Sequence, residues 1–528
     1  MSQSTVAIVG SGIVGTTIAY LLTKKGYDVD VFEKGPDYPY PHTAQFREQV
    51  LYLHENSAYI SPTDLKHLTL SGDYQRNLNG DFYMVVGGSA TRWSGITLRM
   101  IPNDFKTKTL YGYGEDWPLT YGDLEPYYCK AESLLGVSGT DSDNPFAPPR
   151  SKPHPLPPFE LSYDDVIFAE KLRAHGIVLH TTPQARTSKD YGDRVACENY
   201  GPCWVCPTGA RYSPNYHLMH ALKTGKCKLH TNVSVRRIVV DKSGKATGLV
   251  YQPNDKSQEQ EHSAKIVIVA ANAIESARLL LLSADERHPN ALGNNTGHVG
   301  KHLTFHHGWY GEMHYKETLY PSRFGGWTGQ CHQFLDPPSR GKHGSVKIEF
   351  PFIHEPDPFL SAADLKWATS SDVIEHVKEV QHQQPIRLHS EASTGPEKYV
   401  ALSKDSDRFG DPFAHVQYSL NDFDYETYQF ATKLFDRFAE ATQADQKKWT
   451  EPKGFSSTAH HHGTCRMGTN PRDSVVDSFG KMHDIPNLLI AGGSTFVGSA
   501  AVNPTLTMVA LAIRTADYLM DQILDRQN

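Results

Sequence analysis

Near the N-terminus, apolar residues come in continuous runs rather than in alternation with polar ones. Val6 to Val9 is such a run, and it predicts a strand that is buried on both faces. Asp28 to Phe32 predicts a second strand of the same sheet. Between them, the segment from Ile13 to Leu22 places its apolar residues on one side, and Gly26 follows as at a helix C-terminus. The order predicts a βαβ unit.

From about Gly308 the pattern changes to period two. Apolar and charged residues alternate from Val346 to Phe350, and again from Ile386 to His389. Tyr399 to Leu402 and His415 to Leu420 are similar, so we expect several antiparallel strands with one wet face. The helix predicted after them carries an apolar stripe made of Ala431, Leu434, Phe435, Phe438 and Ala439. This part of the chain therefore predicts a second domain.

Further segments connect these two parts. Leu229 to Tyr251 alternates around a central Ser-Gly turn and predicts a β-hairpin, and Lys265 to Ser283 predicts a buried strand that turns into a helix. Thr120 and Asp123 are placed to cap the start of another helix. The chain closes with a strand, a glycine-rich turn and a long helix between Asn487 and Leu519. We expect the hairpin and the buried strand to return the chain to the first domain.

Composition narrows the class of protein. The 528 residues are 39% hydrophobic and 21% charged, which is typical of a soluble globular protein. A formal charge of −7 gives no electrostatic reason to expect a nucleic-acid partner. The first strand begins within a few residues of Met1, which leaves no room for a cleavable leader. The longest apolar runs are far shorter than the ~20 residues of a transmembrane segment. We expect no transmembrane segment and a cytoplasmic protein.

A glycine triplet follows the first strand. Gly10, Gly12 and Gly15 have G-x-G-x-x-G spacing, and they precede the first helix. Such a turn lets a pyrophosphate sit against the amide groups of the helix N-terminus. Glu33 ends the second strand 18 residues beyond Gly15, close to the position at which an acidic side chain meets an adenosine ribose. The segment therefore predicts a dinucleotide site and leaves the identity of the dinucleotide open.

Two further motifs carry candidate chemistry. An apolar run from Phe82 leads into Gly87, Gly88 and Ser89, a turn of the kind that lets the backbone approach a ligand. Near the C-terminus the chain reads AHHHGTCRMG from Ala459 to Gly468, and the last long helix begins at Asn503-Pro504-Thr505. Pro504 suits a first helical turn, and Asn503 suits the cap before it.

Three of the seven cysteines lie within ten residues of one another: Cys197, Cys203 and Cys206. Cysteine thiolates are the usual ligands of iron–sulfur clusters, and the short C-x2-C spacing brings two sulfurs to one metal. Zinc, a disulfide, or three thiols without a shared role are the alternatives. Seven cysteines are too few for a disulfide scaffold.

These motifs, in this order, resemble the glucose-methanol-choline oxidoreductases, which are FAD flavoproteins. The resemblance covers nearly the whole chain and is weakest between about residues 308 and 441. It is closest to large subunits of sugar and gluconate dehydrogenases and to pyranose and glycoside oxidases, through WPLTYGDLEPYY from Trp117 and CENYGPCWVCPTGARY from Cys197. The resemblance implies an α/β plus α+β fold, in which a discontinuous Rossmann-like FAD-binding domain is joined to a substrate domain built on an antiparallel sheet.

We expect the following division of the chain. Residues 1–150 form the first part of the FAD-binding domain, and seven prolines between Pro145 and Pro158 make an extended connector at its end. Residues 190–305 form the second part, which includes the cysteine segment 197–206. Residues 306–455 form the substrate-binding domain, and residues 456–528 carry the catalytic motif and the C-terminal part of the FAD-binding domain.

The resemblance also assigns residues. His460, four residues before Thr464, stands where the family keeps its catalytic histidine, and Asn503 stands where the family has the partner His or Asn. A neutral imidazole accepts the proton of a carbinol, while the amide hydrogen-bonds the same oxygen. The cofactor-binding residues that it implies are Gly10, Gly12, Gly15, Glu33, Gly87, Gly88, Ser89, Arg92, Ser94, Val235, Gly493, Pro504 and Thr505.

Two departures from the family pattern matter. Some pyranose oxidases link the flavin through a histidine in a T-H-W context, whereas this chain has Thr91-Arg92-Trp93, so we expect non-covalent FAD. The related dehydrogenases ligate a cluster with C-x5-C-x3-C-P, and here the spacing is C-x5-C-x2-C-P, one residue shorter. We keep Cys197, Cys203 and Cys206 as candidate ligands of an iron–sulfur cluster.

The sequence thus predicts an FAD-dependent sugar dehydrogenase, similar to glucoside 3-dehydrogenases, that oxidises a secondary or anomeric hydroxyl of a pyranose or glycoside. The alternatives are an oxygen-using oxidase that releases hydrogen peroxide and a family lyase with structural FAD. The resemblance implies a small subunit and an electron-accepting cytochrome or other redox partner, and export with that subunit would give a periplasmic location. Substrate contacts should come from about residues 305–410, where Trp309, Trp327, Gln330 and His332 either line a sugar site or pack.

Overall fold

The computed structural model describes residues 4–44, 67–74, 76, 78–199, 205–255, 258–319, 327–351 and 369–524. Among these residues the strands are β1 (Ser4–Val9), β2 (Val29–Phe32), β3 (Leu68–Gly72), β4 (His180–Thr181), β5 (Cys227–His230), β6 (Val233–Val240), β7 (Ala246–Pro253), β8 (Gln260–Val269), β9 (Thr304–Phe305), β10 (His307–His314), β11 (Gly329–Cys331), β12 (Val346–Glu349), β13 (Gln383–Ser390), β14 (Tyr399–Ser406), β15 (Pro412–Tyr418), β16 (Gln446–Trp449), β17 (His461–His462) and β18 (Leu488–Ile490). The α-helices are α1 (Ile13–Lys24), α2 (Thr107–Tyr111), α3 (Tyr121–Leu135), α4 (Tyr163–Ala174), α5 (Pro214–Lys223), α6 (Ala273–Leu282), α7 (Ser370–Val380), α8 (Asp422–Ala441) and α9 (Thr505–Leu519).

The predicted βαβ unit is the centre of the first sheet. Strands β5, β2, β1, β8 and β18 lie side by side and run parallel. The early residues of β8 also pair with the antiparallel hairpin of β6 and β7, so both arrangements share one strand. Side chains of β1 such as Val6 and Ile8 are fully buried, because β1 lies in the interior of the sheet and packs into the first core. The predicted hairpin is confirmed by β6 and β7.

A second sheet has the strand order β16-β10-β13-β12-β11-β4, and the neighbouring strands are antiparallel. Its apolar face packs on α8, whose predicted stripe from Ala431 to Ala439 is buried in the same core. Asn421 caps α8 by accepting a hydrogen bond from the backbone N–H of Asp424 at 3.2 Å. The predicted antiparallel sheet is therefore present, although β14 and β15 belong to a separate sheet with β3.

The prediction that one face of the second sheet is exposed to solvent is wrong for its central strands. Lys347 and Glu349 on β12 point away from the apolar core as predicted, yet their side chains are almost completely buried. The polar face is turned inward, toward the glycine turns of the first sheet. Charged residues alternate with apolar ones here because the second face borders an internal cavity rather than solvent. No helix among the described residues has the length and apolarity needed to cross a membrane.

Candidate active site

A cavity of about 700 Å³ lies between the first sheet and the polar face of the second. Most of the residues predicted to hold a cofactor line it, together with both predicted catalytic residues. Those that line it are Gly10, Gly12, Glu33, Gly88, Ser89, Arg92, Ser94, Val235, His460, Gly493, Asn503, Pro504 and Thr505. Gly15 and Gly87 lie beside it and pack against protein atoms instead. Its volume falls within the range of ligand sites.

Each of the three glycines of the first turn has a different structural reason for lacking a side chain. A Cβ on Gly15 would lie 2.0 Å from the carbonyl oxygen of Gly10, so helix α1 could not pack on β1. Gly10 has a φ of +100°, which favours glycine. Gly12 has a φ of −62°, and no atom lies within 4 Å of an added Cβ. No contact within the described chain accounts for a glycine at position 12. We therefore interpret the absence of a side chain there as space for an occupant of the cavity.

The surroundings of Gly12 suit a pyrophosphate. Helix α1 has no side-chain cap, so the first amide groups after Gly12 are available to a ligand at the positive end of the helix. Gly88 packs against the other side of this turn, because a Cβ added at Gly88 would lie 3.2 Å from the Cα of Gly12. Gly87 has another role, because a Cβ there would lie 2.1 Å from Oδ1 of Asn215.

Glu33 lies at the end of β2, where the sequence places it. Its carboxylate accepts hydrogen bonds from the backbone N–H and the hydroxyl of Ser11, at 3.0 and 2.7 Å, and from the backbone N–H of Gly35 at 2.9 Å. Burial raises the pKa of Glu33, and these hydrogen bonds oppose the shift. The side chain is therefore held in one position at the wall of the cavity. Together, the glycine turn, the uncapped helix and Glu33 fit the adenosine diphosphate half of FAD.

The other end of the cavity is built by a short strand pair. His461 on β17 lies opposite Phe305 on β9, so the residues next in line, His460 and His306, face each other. The backbone reaches His460 through Thr458 and Ala459, which have φ values of 53° and 57°. Left-handed conformations of such residues cost about 1 to 3 kcal/mol each and are concentrated at functional sites. This loop therefore holds His460 in a specific place.

The hydrogen bonds of His306 define its protonation pattern and that of His460. The Nε2 atom of His306 lies 2.9 Å from the carbonyl oxygen of Ser499, which can only accept, so Nε2 carries a hydrogen. Burial lowers the pKa of His306 to about 4, so the ring is neutral and its Nδ1 is an acceptor. Nδ1 of His460, 2.9 Å away, must then donate.

The lone pair of neutral His460 is consequently on Nε2. The hydroxyl oxygen of Thr458, 2.8 Å from Nδ1 of His460, shares the hydrogen that Nδ1 donates. Burial first, and then the neighbouring His306, His462 and Lys347, lower the pKa of His460 well below its ordinary value. His460 is therefore neutral at physiological pH, with a basic nitrogen available on the side that lines the cavity.

Asn503 is oriented by a residue that the sequence did not indicate. The ammonium group of Lys347, which can only donate, hydrogen-bonds Oδ1 of Asn503, and it also contacts Glu349. The Nδ2 group of Asn503 is thereby left as a donor for the cavity. The prediction that Asn503 caps the last helix is wrong, because α9 begins at Thr505 after Pro504 and has no side-chain cap.

A third imidazole completes this end of the cavity. His389 on β13 lies with its ring centre 5.8 Å from that of His460, and its Nε2 is 3.4 Å from a carboxylate oxygen of Glu349. His306, His389 and His460 each bring one ring nitrogen within 4.8 Å of the others. Such a cluster could bind a metal ion, but the hydrogen bond between His306 and His460 satisfies those two nitrogen atoms directly. We therefore interpret the cluster as acid–base machinery.

Of the three cysteines predicted to ligate a cluster, the structure describes Cys197 and Cys206, while Cys203 lies outside the described residues. The Sγ atom of Cys206 accepts a hydrogen bond from the backbone N–H of Arg211 at 3.4 Å. Arg211 in turn donates to the carbonyl oxygens of Thr91 and Trp93, in a segment that lines the cavity. Cys206 is thus connected through Arg211 to the wall of the cavity.

Of the residues predicted for a sugar site, one lines the cavity and the other three are buried elsewhere. Trp327 lines the cavity, and Tyr310, Glu349, Arg387 and His389 line it as well. Trp309, in contrast, is fully buried in the second core against Tyr428. Gln330 and His332 are buried behind Glu349, where His332 hydrogen-bonds Gln330 and Gln330 donates to the carboxylate.

The chain matches family models over three stretches. Residues 174–307 and 394–512 match two models described as GMC oxidoreductase, and residues 8–63 match an NAD(P)-binding Rossmann-like domain. The fructose dehydrogenase large subunit of Gluconobacter japonicus is 28% identical over 98% of this chain and 98% of that protein. The 2-methyl-1,2-propanediol dehydrogenase of Mycolicibacterium austroafricanum is 29% identical over 99% and 96%.

The fold has solved counterparts. Formate oxidase from Aspergillus oryzae superposes with a TM-score of 0.69 over 99% of both chains, at 16% sequence identity, so this likeness concerns the fold. The matched family models, the nucleotide cradle and the paired His460 and Asn503 at its far end agree with one another. The chain belongs to the GMC oxidoreductases, the glucose-methanol-choline family, and it is an FAD-binding oxidoreductase that acts on alcohol or sugar hydroxyl groups.

Proposed function

We propose that the protein is a dehydrogenase that oxidises a secondary or anomeric hydroxyl of a pyranose or glycoside and passes the electrons to an acceptor other than oxygen. The observation that carries the proposal is the neutral His460, whose Nε2 lone pair lines the same cavity end as the oriented amide of Asn503. A relative that acts on a sugar, the fructose dehydrogenase large subunit, matches almost the whole chain.

The side chains divide the work on the hydroxyl group. His460 Nε2 accepts the hydroxyl proton, while its Nδ1–H stays hydrogen-bonded to His306. Asn503 Nδ2 donates to the substrate oxygen and orients the carbon–hydrogen bond, which is a positioning role. When bound, FAD supplies the hydride acceptor. The buried walls around His389 and Glu349 exclude water from the reacting oxygen.

A substrate screen tests the proposal against its two alternatives. Under anaerobic conditions, a sugar or glycoside should bleach the flavin of the purified holoenzyme within a stopped-flow mixing experiment. An oxidase would show the same bleaching and would then form hydrogen peroxide stoichiometrically under air. A lyase would leave the flavin yellow with every sugar. Bleaching by sugars with little peroxide supports the dehydrogenase, and either other pattern rejects it.

His306 should matter through the tautomer of His460. Replacing His306 with phenylalanine removes the acceptor for Nδ1–H, and we expect kcat/KM to fall about tenfold, the value of one buried hydrogen bond. His306→Asn keeps an acceptor oxygen near the position of Nδ1 and should recover most of that loss. Both measurements use enzyme with matched FAD content. Equal losses in the two variants would mean that His306 only fills space.

The cofactor content is a further prediction. We propose that FAD is non-covalent, because Arg92 occupies the position of the flavin-linking histidine, and that Cys197, Cys203 and Cys206 ligate an iron–sulfur cluster that passes electrons to a partner. Acid precipitation should release the flavin into the supernatant. Anaerobically purified protein should contain iron and acid-labile sulfide, and Cys206→Ser should lose both. Flavin that stays with the precipitate, or protein free of iron, would contradict the respective part.

The relatives suggest the electron acceptor. The name of the fructose dehydrogenase relative, a large subunit, implies further subunits. The cluster proposed at Cys197, Cys203 and Cys206 would give electrons a route out of the protein. We propose a small subunit and a cytochrome or similar redox protein as partners. Co-expression with a candidate small subunit, followed by co-purification, tests the first partner.

A further inference from the structure

The cavity face of the second sheet presents its polar side chains in two rows. Strand register places Tyr310, Arg387, Glu349 and Gln330 next to one another across β10, β13, β12 and β11. The neighbouring row, one step along the strands, places His389 beside Lys347. Both rows lie on the face opposite the apolar residues such as Leu388, because successive residues of a strand point to opposite faces. Arg387 is therefore a cationic residue of the cavity wall.

Arg387 makes unusual contacts for a charged residue. Its guanidinium carbon lies 4.4 Å from the ring centre of Tyr310 and 4.9 Å from that of Trp327. Its Nε is buried and has no hydrogen-bond partner among the described residues. No carboxylate in the described part of the chain pairs with it, whereas Arg99 pairs with two carboxylates and Arg340 with three. The two rings leave the donor edge of the guanidinium available to the cavity.

The acidic residue paired with Arg387 in the sheet is already engaged. Glu349 lies directly opposite Arg387 across the strands, yet its carboxylate contacts the ammonium group of Lys347 and receives a hydrogen bond from Gln330. The ammonium group of Lys347 and the carboxylate of Glu349 neutralise each other, so this pair has no net charge. His389 and His460 are neutral, since burial lowers their pKa values well below the ordinary one. Among the described residues of this wall, Arg387 is left with an uncompensated positive charge.

We infer that Arg387 binds a carboxylate of the substrate, so that the hydroxyl compound oxidised here is a sugar acid. The inference rests on the proposed function and names its substrate class. A planar guanidinium matches a carboxylate with two parallel hydrogen bonds, and the contact is strong where water is excluded. A single positive charge matches a carboxylate better than a dianionic phosphate. Tyr310 and Trp327 hold the guanidinium plane by stacking, which keeps this fork oriented before the substrate arrives.

Strand geometry also limits which hydroxyl is oxidised. Arg387 and His389 are two residues apart on β13, so their Cα atoms are about 7 Å apart. The ring of His389 is a further 5.8 Å from that of His460. Since His389 stands next to His460 and Arg387 is one row further along the sheet, we expect a carboxylate bound to Arg387 to lie several bonds away from the carbinol whose proton His460 accepts. We expect this placement to favour a uronic acid oxidised on the far side of its ring over an acid oxidised at the carbon next to its carboxylate.

The kinetic test compares a matched pair of substrates in the holoenzyme. Methyl α-D-glucopyranosiduronate and methyl α-D-glucopyranoside differ by the carboxylate, and kcat/KM should favour the acid by about 10- to 100-fold in the wild-type enzyme. Arg387→Gln should reduce this ratio to nearly one. Arg437→Gln should leave it unchanged, because Arg437 also lies over an aromatic ring, Phe334, but is exposed outside the cavity. A wild-type ratio near one, or a ratio that survives Arg387→Gln, overturns the inference.

A binding measurement decides the inference independently of turnover. Tetrahydropyran-2-carboxylate has no hydroxyl to oxidise, and its binding to the holoenzyme can be followed by calorimetry. It should bind at least tenfold more tightly than tetrahydropyran-2-carboxamide and than tetrahydropyran-2-ylmethyl phosphate, and Arg387→Gln should abolish the difference. If no sugar bleaches the flavin, the proposed function fails, and this measurement still accepts or rejects the carboxylate site. Equal binding of the acid and the amide, or tighter binding of the phosphate, rejects it.

Discussion

Replacing His460 with alanine should lower the rate of anaerobic flavin reduction by about 10³-fold, within the 10²- to 10⁴-fold range of positioned general bases. The structure accounts for the size of the effect. His460 provides a neutral nitrogen at the reactive end of the cavity. His306 donates to Ser499, and His389, which also lines the cavity, has its Nε2 3.4 Å from a carboxylate oxygen of Glu349. Stopped-flow spectroscopy with the sugar found by the substrate screen measures the rate directly.

The FAD content of the His460→Ala variant should be unchanged, because His460 lies at the opposite end of the cavity from Gly12 and Glu33. His175→Ala, an exposed replacement after α4, controls for the loss of a histidine elsewhere. A His460→Ala enzyme that keeps its FAD and most of its turnover would show that another group takes the proton.

The same histidine predicts the pH dependence. Proton abstraction needs neutral His460, and burial together with the nearby His306 and Lys347 holds the pKa of His460 well below its ordinary value. A lowered pKa keeps the imidazole neutral as the pH falls, so kcat/KM should remain constant from pH 8 down through 6.5. The fall of kcat/KM on the acid side should appear only below pH 6.5. An inflection near pH 6.5 that disappears in His460→Ala would mean that the base titrates like an exposed histidine.

Elements whose pattern is local are predictable from the sequence. The segment from Val6 to Glu33 carries its strands, helix stop and glycines within one short stretch, and the structure has β1, α1 and β2 there. The stripe on α8 was predictable for the same reason, since residues three and four apart share one helix face. His460 and Asn503 were assigned by family resemblance, and the structure brings both to one cavity end.

The residues that orient them were not predictable in this way. His306 faces His460 only because β9 and β17, two residues each, pair across more than 150 positions of sequence. Strands that short have no periodicity to detect. Lys347 and Glu349 did alternate with apolar residues, but alternation alone does not distinguish a wet face from one that is turned into a cavity. Only the packing of the second sheet against the glycine turns makes that distinction.

Gly12 provides the sharpest test of where the cofactor lies. Its backbone conformation is open to any residue, and its position on the cavity wall has space for a side chain within the chain itself. Gly15 differs, because a Cβ there would collide with the backbone of Gly10. Substitutions at the two positions should therefore fail for different reasons: one by blocking the cofactor, the other by disturbing the packing of α1 on β1.

We expect Gly12→Val to fold and to lose FAD. Its two methyl groups would project into the space in front of the α1 N-terminus, where we place the pyrophosphate, and steric overlap of this size weakens binding about 100-fold. The thermal midpoint of the apoprotein should remain close to that of the wild type, whereas Gly15→Ala should lower it. Gly122→Val, an exposed change in α3 with ordinary contacts, is the matched control. If Gly12→Val retained stoichiometric flavin after gel filtration, the pyrophosphate would have to bind elsewhere than at this helix.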